Sequence, residues 1–374
     1  MTRSSPSTAS RLSFFATAPR GVEPILEAEL TALGVADPHP RKGGVAFEGD
    51  LADGYRACLW SRTASRVLLV LSSVPAESVV ALYEAVTTLP WEDHLSADGT
   101  LAVDFVGRSE AFSHSRFGAQ KVKDAVVDRL RRRTGRRPSV DLQHPDLRIN
   151  IHLARDHAQV ALDLSGEALH RRGYREETGL APLKENLAAA LLLKAGWPEL
   201  AVASVALMDP LCGAGTLPIE AATIAADIAP GLSRRRWGLD GWLAHDPALW
   251  GTLLDEARKR AEQGITRLPT VAGSDRDPRA IRIARANAAR AGLGDRIRFQ
   301  RCELADVRPA GPQGLLITNP PYGERLGDRA TLAGTYETLG DLLKQYFAGW
   351  HAAIFTGDPD LGKRMGLKAH RRNR

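Results

Sequence analysis

Ala203-Ser-Val-Ala-Leu-Met-Asp-Pro-Leu-Cys-Gly-Ala-Gly-Thr216 carries an apolar run into a glycine-rich turn. Ala203 to Asp209 reads as a strand, and Ile219 to Ala229 as the helix after it. The same alternation extends outward. Pro182 to Ala195 has helical spacing, Thr270 to Asp275 reads as a strand, and Arg279 to Ala291 as a helix. Arg296 to Arg301 and Gly314 to Thr318 are two more strands. The helix Leu332 to Phe347 and a fifth strand, Ala352 to Thr356, close the series. Helices alternating with short apolar strands predict an α/β domain with a parallel sheet.

Gly213 and Gly215 let a ligand approach the backbone where the next helix begins. A lone GxG is also compatible with a dinucleotide fingerprint or a bare βα turn. The third fingerprint position holds Pro218, and no Gly-Lys-Ser/Thr follows, which excludes a phosphate-cradling P-loop. Asp209 precedes the glycines. An acid there suits a cofactor with a cationic amino-acid end, such as S-adenosylmethionine. Gly273-Ser-Asp275 ends the second strand with an acid placed for ribose hydroxyls. Asp275 comes far later than the usual ~20 residues, so residues 230–268, with Trp237, Trp242 and Trp250, read as an insertion. A satellite hydrophobic cluster is preferred there over a binding surface. Glu303 follows the third strand, where an acid could meet an adenine amine. Asp306 competes with it.

Asn319-Pro-Pro-Tyr322 follows the fourth strand directly. Asn319 offers a side-chain carbonyl, and the rigid pair Pro320 and Pro321 holds it and the Pro320 carbonyl in fixed directions. Two convergent acceptors suit a planar –NH₂ group, and Tyr322 can stack on the ring that carries it. The plain alternative is a proline-stiffened turn. Glycine loop, acid, acid and Asn-Pro-Pro-Tyr, each after a successive strand, are more specific together than any one alone. That order resembles the amino-methyltransferase branch of the Rossmann-like methyltransferases. The resemblance implies that Asp209, Cys212, Gly213, Gly215, Thr216, Asp275 and Glu303 bind S-adenosylmethionine. It also implies that Asn319, Pro320, Pro321 and Tyr322 hold the target amine.

The first half reads as small α+β units. A polar tail, residues 1–11, precedes an expected ferredoxin-like module over 12–53. A second unit, over 54–165, contains a long helix from Phe117 to Arg133. Phe117-Gly-Ala-Gln-Lys-Val-Lys-Asp-Ala-Val-Val-Asp128, Asp146 to His152, Ala161 to Gly166 and His170-Arg-Arg-Gly-Tyr-Arg175 resemble a THUMP domain, an RNA-binding module, and its exit segment. With Ala181-Pro-Leu-Lys-Glu-Asn-Leu and Asn319-Pro-Pro-Tyr-Gly-Glu-Arg-Leu326, the chain resembles the RlmL-type guanine-N2 methyltransferases of bacterial large-subunit (23S) ribosomal RNA. The resemblance implies a methyltransferase domain over 166–374 and places Glu185 at the methionine end of the cofactor. It favours RNA over DNA. Arg129, Arg131, Arg132, Arg133, Arg136 and Arg137, with Lys121 and Lys123, then become candidate RNA contacts. The plain reading of that stretch is a solvated helix face.

The chain has 374 residues and a formal net charge of +6. A basic balance favours a polyanionic partner without identifying one. Cys58, Cys212 and Cys302 lie far apart, with no metal-ligand spacing, so neither a metal site nor a disulfide framework is expected. Three thiols fit a reducing cytoplasm. No apolar run is long enough to span a membrane. The expected activity is methylation of an exocyclic base amine in RNA, with guanine N2 as the target. Adenine N6 and an inactive RNA-binding or assembly factor are the alternatives. A ribosomal assembly intermediate is a possible substrate. No apolar strand follows Thr356, so the expected sheet lacks its usual last two strands. In the family resembled, the sequence continues through them, often into a second methyltransferase domain.

Overall fold

The first half of the chain is built around one sheet. The computed structural model describes residues 11–176, 183–323 and 329–370. Arg11 apart, the expected tail lies outside them, as do Ala181, Pro182 and Glu324 to Leu326. The chain runs β1 (Leu12–Thr17), α1 (Glu23–Ala32), β2 (His39–Arg41), β3 (Gly44–Gly49), α2 (Leu51–Trp60), β4 (Arg66–Pro75), α3 (Val79–Thr88), β5 (Thr100–Val106) and α4 (Ser115–Thr134). Then come β6 (Ser139–Val140), β7 (Leu147–Ala154) and β8 (His157–Asp163). The strands form one sheet in the order β2-β3-β1-β4-β8-β7-β5-β6.

The expected border at 53/54 falls inside that sheet. β4 is long enough to serve two partners: Arg66 to Val70 pair with β1, while Leu68 to Pro75 pair with β8. Its ladder therefore joins the ferredoxin-like strands to the rest, and two separate sheets do not form. In β7, Ile149, Ile151 and Leu153 are buried while Asn150 and His152 are not. Val122, Val126 and Leu130 recur on the buried side of α4. Gly135 ends this helix at φ +73°, a conformation that favours glycine.

The second half contains α5 (Glu185–Lys194), α6 (Trp197–Val202), β9 (Ala206–Asp209), α7 (Thr216–Ala225), α8 (Pro247–Gly264), β10 (Val271–Asp275), α9 (Pro278–Arg290), β11 (Ile297–Arg301), β12 (Gly314–Thr318), α10 (Arg329–Tyr346), β13 (His351–Ile354) and α11 (Pro359–Arg364). Its sheet has the order β11-β10-β9-β12-β13, with every pairing parallel. Every residue of β9 and β12 is buried, as expected for central strands covered by helices on both faces. Leu192, Trp197, Leu217, Ile281 and Phe299 pack with Leu207, Val271, Leu315 and Ile317 in the main core. Strand order reverses between β9 and β12, and in open parallel sheets such a switch point is where ligands bind.

The chain divides into two compact units, and the division differs from the one read in sequence. The first unit runs to Leu169 and also takes in Arg234–Asp255; the second comprises His170–Ser233 and Glu256 onward. The tryptophan-rich insertion therefore packs with the N-terminal sheet. Trp237 and Trp250 stand edge to face at 5.1 Å, Tyr55 meets Trp250 at 5.3 Å, and Trp242 stacks on His94 at 6.2 Å. The Tyr55 hydroxyl lies 2.6 Å from His245 Nδ1 and accepts the Asp246 backbone N–H. These rings form a core, as the satellite-cluster reading expected, but in the other unit.

Candidate active site

The C-terminal ends of β11, β10, β9 and β12 lie side by side in that order, so the residues that follow them share one edge of the sheet. The glycine loop leaves β9 at the centre. Gly213 has φ +51°, and no atom stands within 4 Å of where a side chain would begin. Gly215, at φ +80°, caps α7, and a Cβ there would come within 2.9 Å of the Phe299 ring. The first glycine leaves backbone open to a ligand, and the second lets the loop pack on the sheet.

Side chains hold this loop from below. Asp275 accepts the Gly213 N–H at 3.1 Å and the Asp277 N–H at 2.9 Å. A carboxylate has about four acceptor positions, so two remain open to further donors. The fully buried Asn287 donates to the Ala214 carbonyl at 3.0 Å, and Arg290 fixes its amide oxygen at 2.7 Å. Asn287 has no motif around it and is invisible to sequence reasoning. Asp209 is 2% exposed. Burial pushes its carboxyl up to about 7, only partly offset by the Thr318 hydroxyl and the Leu211 N–H beside it. Glu303 is exposed, just before a short 3-10 turn, Leu304–Asp306, and Asp306 is exposed as well.

Cys212 is buried, and desolvation raises its thiol well above the ordinary value, reinforced by Asp209 and Asp275. Burial also raises Cys58 and Cys302. None is therefore activated as the thiolate that methylation at a pyrimidine carbon would need. Among the described residues no group of three or more His, Cys, Asp or Glu is placed to hold a metal ion.

Across the switch point, Asn319 follows β12. Its Oδ1 is buried and has no hydrogen-bond partner among the described residues. An orphaned buried acceptor is uncommon and calls for a donor. Pro320 is buried behind it. The Tyr322 ring lies against the Gly357 backbone, where a Cβ would come within 2.6 Å, and packs beside Leu332, Tyr336 and Leu361. Glycine at 357 is what makes room for this ring, and it too escaped the sequence reading.

Glu185 opens α5 and is 4% exposed. Burial raises its carboxyl pKa, and the Arg175 guanidinium, with Nε 3.1 Å from Oε1, pulls it back. Of the candidate RNA contacts, Arg129 grips Glu92 with two bonds, at 3.0 and 2.7 Å. Arg133 reaches the same carboxylate at 3.4 Å, Arg136 pairs with Asp98 at 2.6 Å, and Lys123 pairs with Asp124. Lys121 sits over the Phe117 ring. Arg131, Arg132 and Arg137 are exposed, with no carboxylate partner among the described residues.

Comparison with known proteins places this geometry. A family model described as RMKL-like, methyltransferase domain, matches residues 172–374. The chain belongs to this methyltransferase family. An RlmL ferredoxin-like domain matches residues 13–68 and a THUMP domain residues 76–163. The chain is 56% identical to the ribosomal RNA large subunit methyltransferase K/L of Syntrophotalea carbinolica, over 96% of this chain and 51% of that protein. It is 52% identical to the protein of the same name from Pseudomonas paraeruginosa, over 96% and 50%. The chain thus spans about half the length of the curated relatives it matches. Among solved structures, SMU.472 in complex with SAH superposes with a TM-score of 0.86 at 33% identity, covering 96% of this chain and 93% of that one. A Listeria monocytogenes protein named as a predicted N6-adenine-specific DNA methylase gives 0.87 at 34%, covering 97% and 93%. No helix among the described residues is long and apolar enough to cross a membrane.

Proposed function

We propose that the chain uses S-adenosylmethionine to methylate the exocyclic N2 amine of a guanine in large-subunit ribosomal RNA, in the cytoplasm. The observation that carries this reading is the buried, unpartnered Asn319 Oδ1 beside the glycine loop at the switch point. It is an acceptor awaiting an N–H donor, next to a loop open to a cofactor.

The residues present fit S-adenosylmethionine. Asp209 and Glu185 suit its ammonium, and the open backbone at Gly213 admits it, with Cys212, Gly215 and Thr216 completing the loop. Asp275 keeps acceptor positions for the ribose, and Glu303 stands one strand further on for the adenine amine. The cofactor supplies an electrophilic sulfonium methyl. The guanine amine is a weak nucleophile because its lone pair is delocalised into the ring. Asn319 Oδ1 and the Pro320 carbonyl accept its two N–H bonds, restoring electron density and aiming the lone pair. Tyr322 stacks on the base after it is flipped from its helix. Pro321 stiffens the turn.

The exposed arginines of the α4 end, Arg131, Arg132 and Arg137, with Arg133, Arg136, Lys121 and Lys123, would contact RNA phosphates, and Arg129 least, since Glu92 already matches its charge. A second methyltransferase domain would accompany the chain in a longer protein, as the length of the relatives suggests. The Listeria neighbour's name supports adenine N6 as the second reading. Asn319→Ala tests the site. Single-turnover methylation of purified RNA should fall by roughly 10²-fold or more, the scale of one preorganised hydrogen bond, with cofactor affinity unchanged. A near-normal rate would remove Asn319 from the reaction.

A further inference from the structure

Between the two proposed cofactor acids, Asp275 and Glu303, the chain carries eight arginines and two aspartates. Their net charge of +6 equals that of the whole chain, so the rest of the sequence is neutral overall. The stretch folds as α9 and β11, and β11 is an edge strand. Ile281, Ile283, Ala284, Ile297 and Phe299 are buried, which leaves the arginines on the solvent side. Some of them serve the fold. Arg285 donates to the Phe299 carbonyl at 2.6 Å, and Arg301 to the Arg276 carbonyl at 3.2 Å. Arg290 holds Asn287 and pairs with Glu176 at 3.5 Å. Arg298 lies on the edge strand, where a charge deters pairing with another sheet.

Arg279 and Arg282 do none of this. Both are exposed on the first turns of α9, and neither side chain has a partner among the described residues. The nearest acid in sequence, Asp277, caps the helix by accepting the Arg279 N–H at 2.8 Å, and Asp295 precedes β11 at the opposite edge of the sheet. Because α9 begins just after β10 ends, the two arginines stand at the edge that carries the glycine loop and Asn319. β10 and β12 are two strand spacings apart, roughly 10 Å, a gap that a few nucleotides of extended RNA cross. Resting on the reading that the chain methylates RNA, we propose that this face of the methyltransferase unit binds the RNA backbone beside the target base, with Arg279 and Arg282 on phosphates. Unpaired arginines match a polyanion, and the guanidinium fork suits phosphate oxygens. The arginines of α4 belong to the other compact unit, so this is a further RNA contact.

The salt dependence of binding to a single-stranded fragment of unmethylated large-subunit ribosomal RNA tests the proposal on the full chain. Replacing Arg279 and Arg282 together with glutamine should weaken binding roughly tenfold at low salt and lower the logarithmic slope by about 1.4, at about 0.7 per phosphate contact. Arg279→Lys with Arg282→Lys keeps both charges, so it should keep the slope. In methylation the glutamine pair should raise KM for RNA and spare kcat, as loss of uniform binding does. S-adenosylhomocysteine affinity should stay within about twofold. An unchanged slope in the glutamine pair, or a slope lost equally in the lysine pair, would overturn the proposal. If replacing Arg131, Arg132 and Arg136 flattens the slope while the α9 pair does not, only this assignment falls. If the unaltered chain binds no RNA, the underlying reading falls with it.

Discussion

Asp209 shows how burial sets chemistry at the level of one residue. Its carboxyl is held near 7 because it is desolvated beside Asp275, with only the Thr318 hydroxyl and the Leu211 N–H to favour the anion. A cationic ligand end needs the anion. Affinity for S-adenosylhomocysteine should therefore climb between about pH 5.5 and 7, by up to about tenfold per unit, and level off above 7. Asp209→Asn should bind more weakly and flatten the profile; a flat profile in the unaltered protein would detach Asp209 from the cofactor. The sign is opposite for folding without ligand. A folded value above the unfolded 3.8 makes protonation favour the fold, so that contribution is full below about 4 and is lost as pH rises toward 7. The motif residues were legible because glycine, acid and Asn-Pro-Pro-Tyr each have a local reason to follow a strand. Asn287 and Gly357 were not, because each acts on a partner distant in sequence.

Among the elements, α4 divides its basic residues between fold and solvent. Arg129 is 17% exposed and committed to Glu92, which also draws Arg133. Replacing Arg131, Arg132 and Arg136 with alanine should weaken RNA binding and flatten its salt dependence. On single-stranded RNA the logarithmic slope should drop by about 0.7 for each phosphate no longer neutralised. S-adenosylhomocysteine affinity should hold. An unchanged slope would make this helix end a solvated face. The sequence could show a basic helix end but not which arginines were already paired, since Glu92 and Asp98 come from a distant segment. Short elements were missed for related reasons. The edge strand β2 is His-Pro-Arg, with no apolar residue to signal it, and β6 has two residues. The helix α8 was hidden in what read as an insertion.

At the scale of the whole molecule, the chain leaves the methyltransferase unit at Arg234 and returns at Glu256, after lending three tryptophans to the first unit. Periodicity marked those tryptophans as a cluster but could not say which core they fill. Trp250 is 7% exposed and touches both Tyr55 and Trp237. Trp250→Ala should cost about 3–5 kcal/mol, the usual range for removing a buried aromatic ring, in denaturant unfolding of the first unit. A loss below about 1 kcal/mol would mean that the excursion is only loosely attached. The parallel order of the second sheet was largely legible, because each strand carries its own apolar run and its helix follows in sequence. That order also puts the proposed cofactor residues after β9, β10 and β11 on one side of the switch point and Asn319 on the other. On the proposed reading, such an arrangement would deliver a methyl group to an amine held across the gap. The direct test is nucleoside mass spectrometry of unmethylated large-subunit ribosomal RNA after incubation with this chain and S-adenosylmethionine. The account predicts N2-methylguanosine, absent with Asn319→Ala. N6-methyladenosine in its place, or no methylated nucleoside from a chain that binds the cofactor, would contradict it.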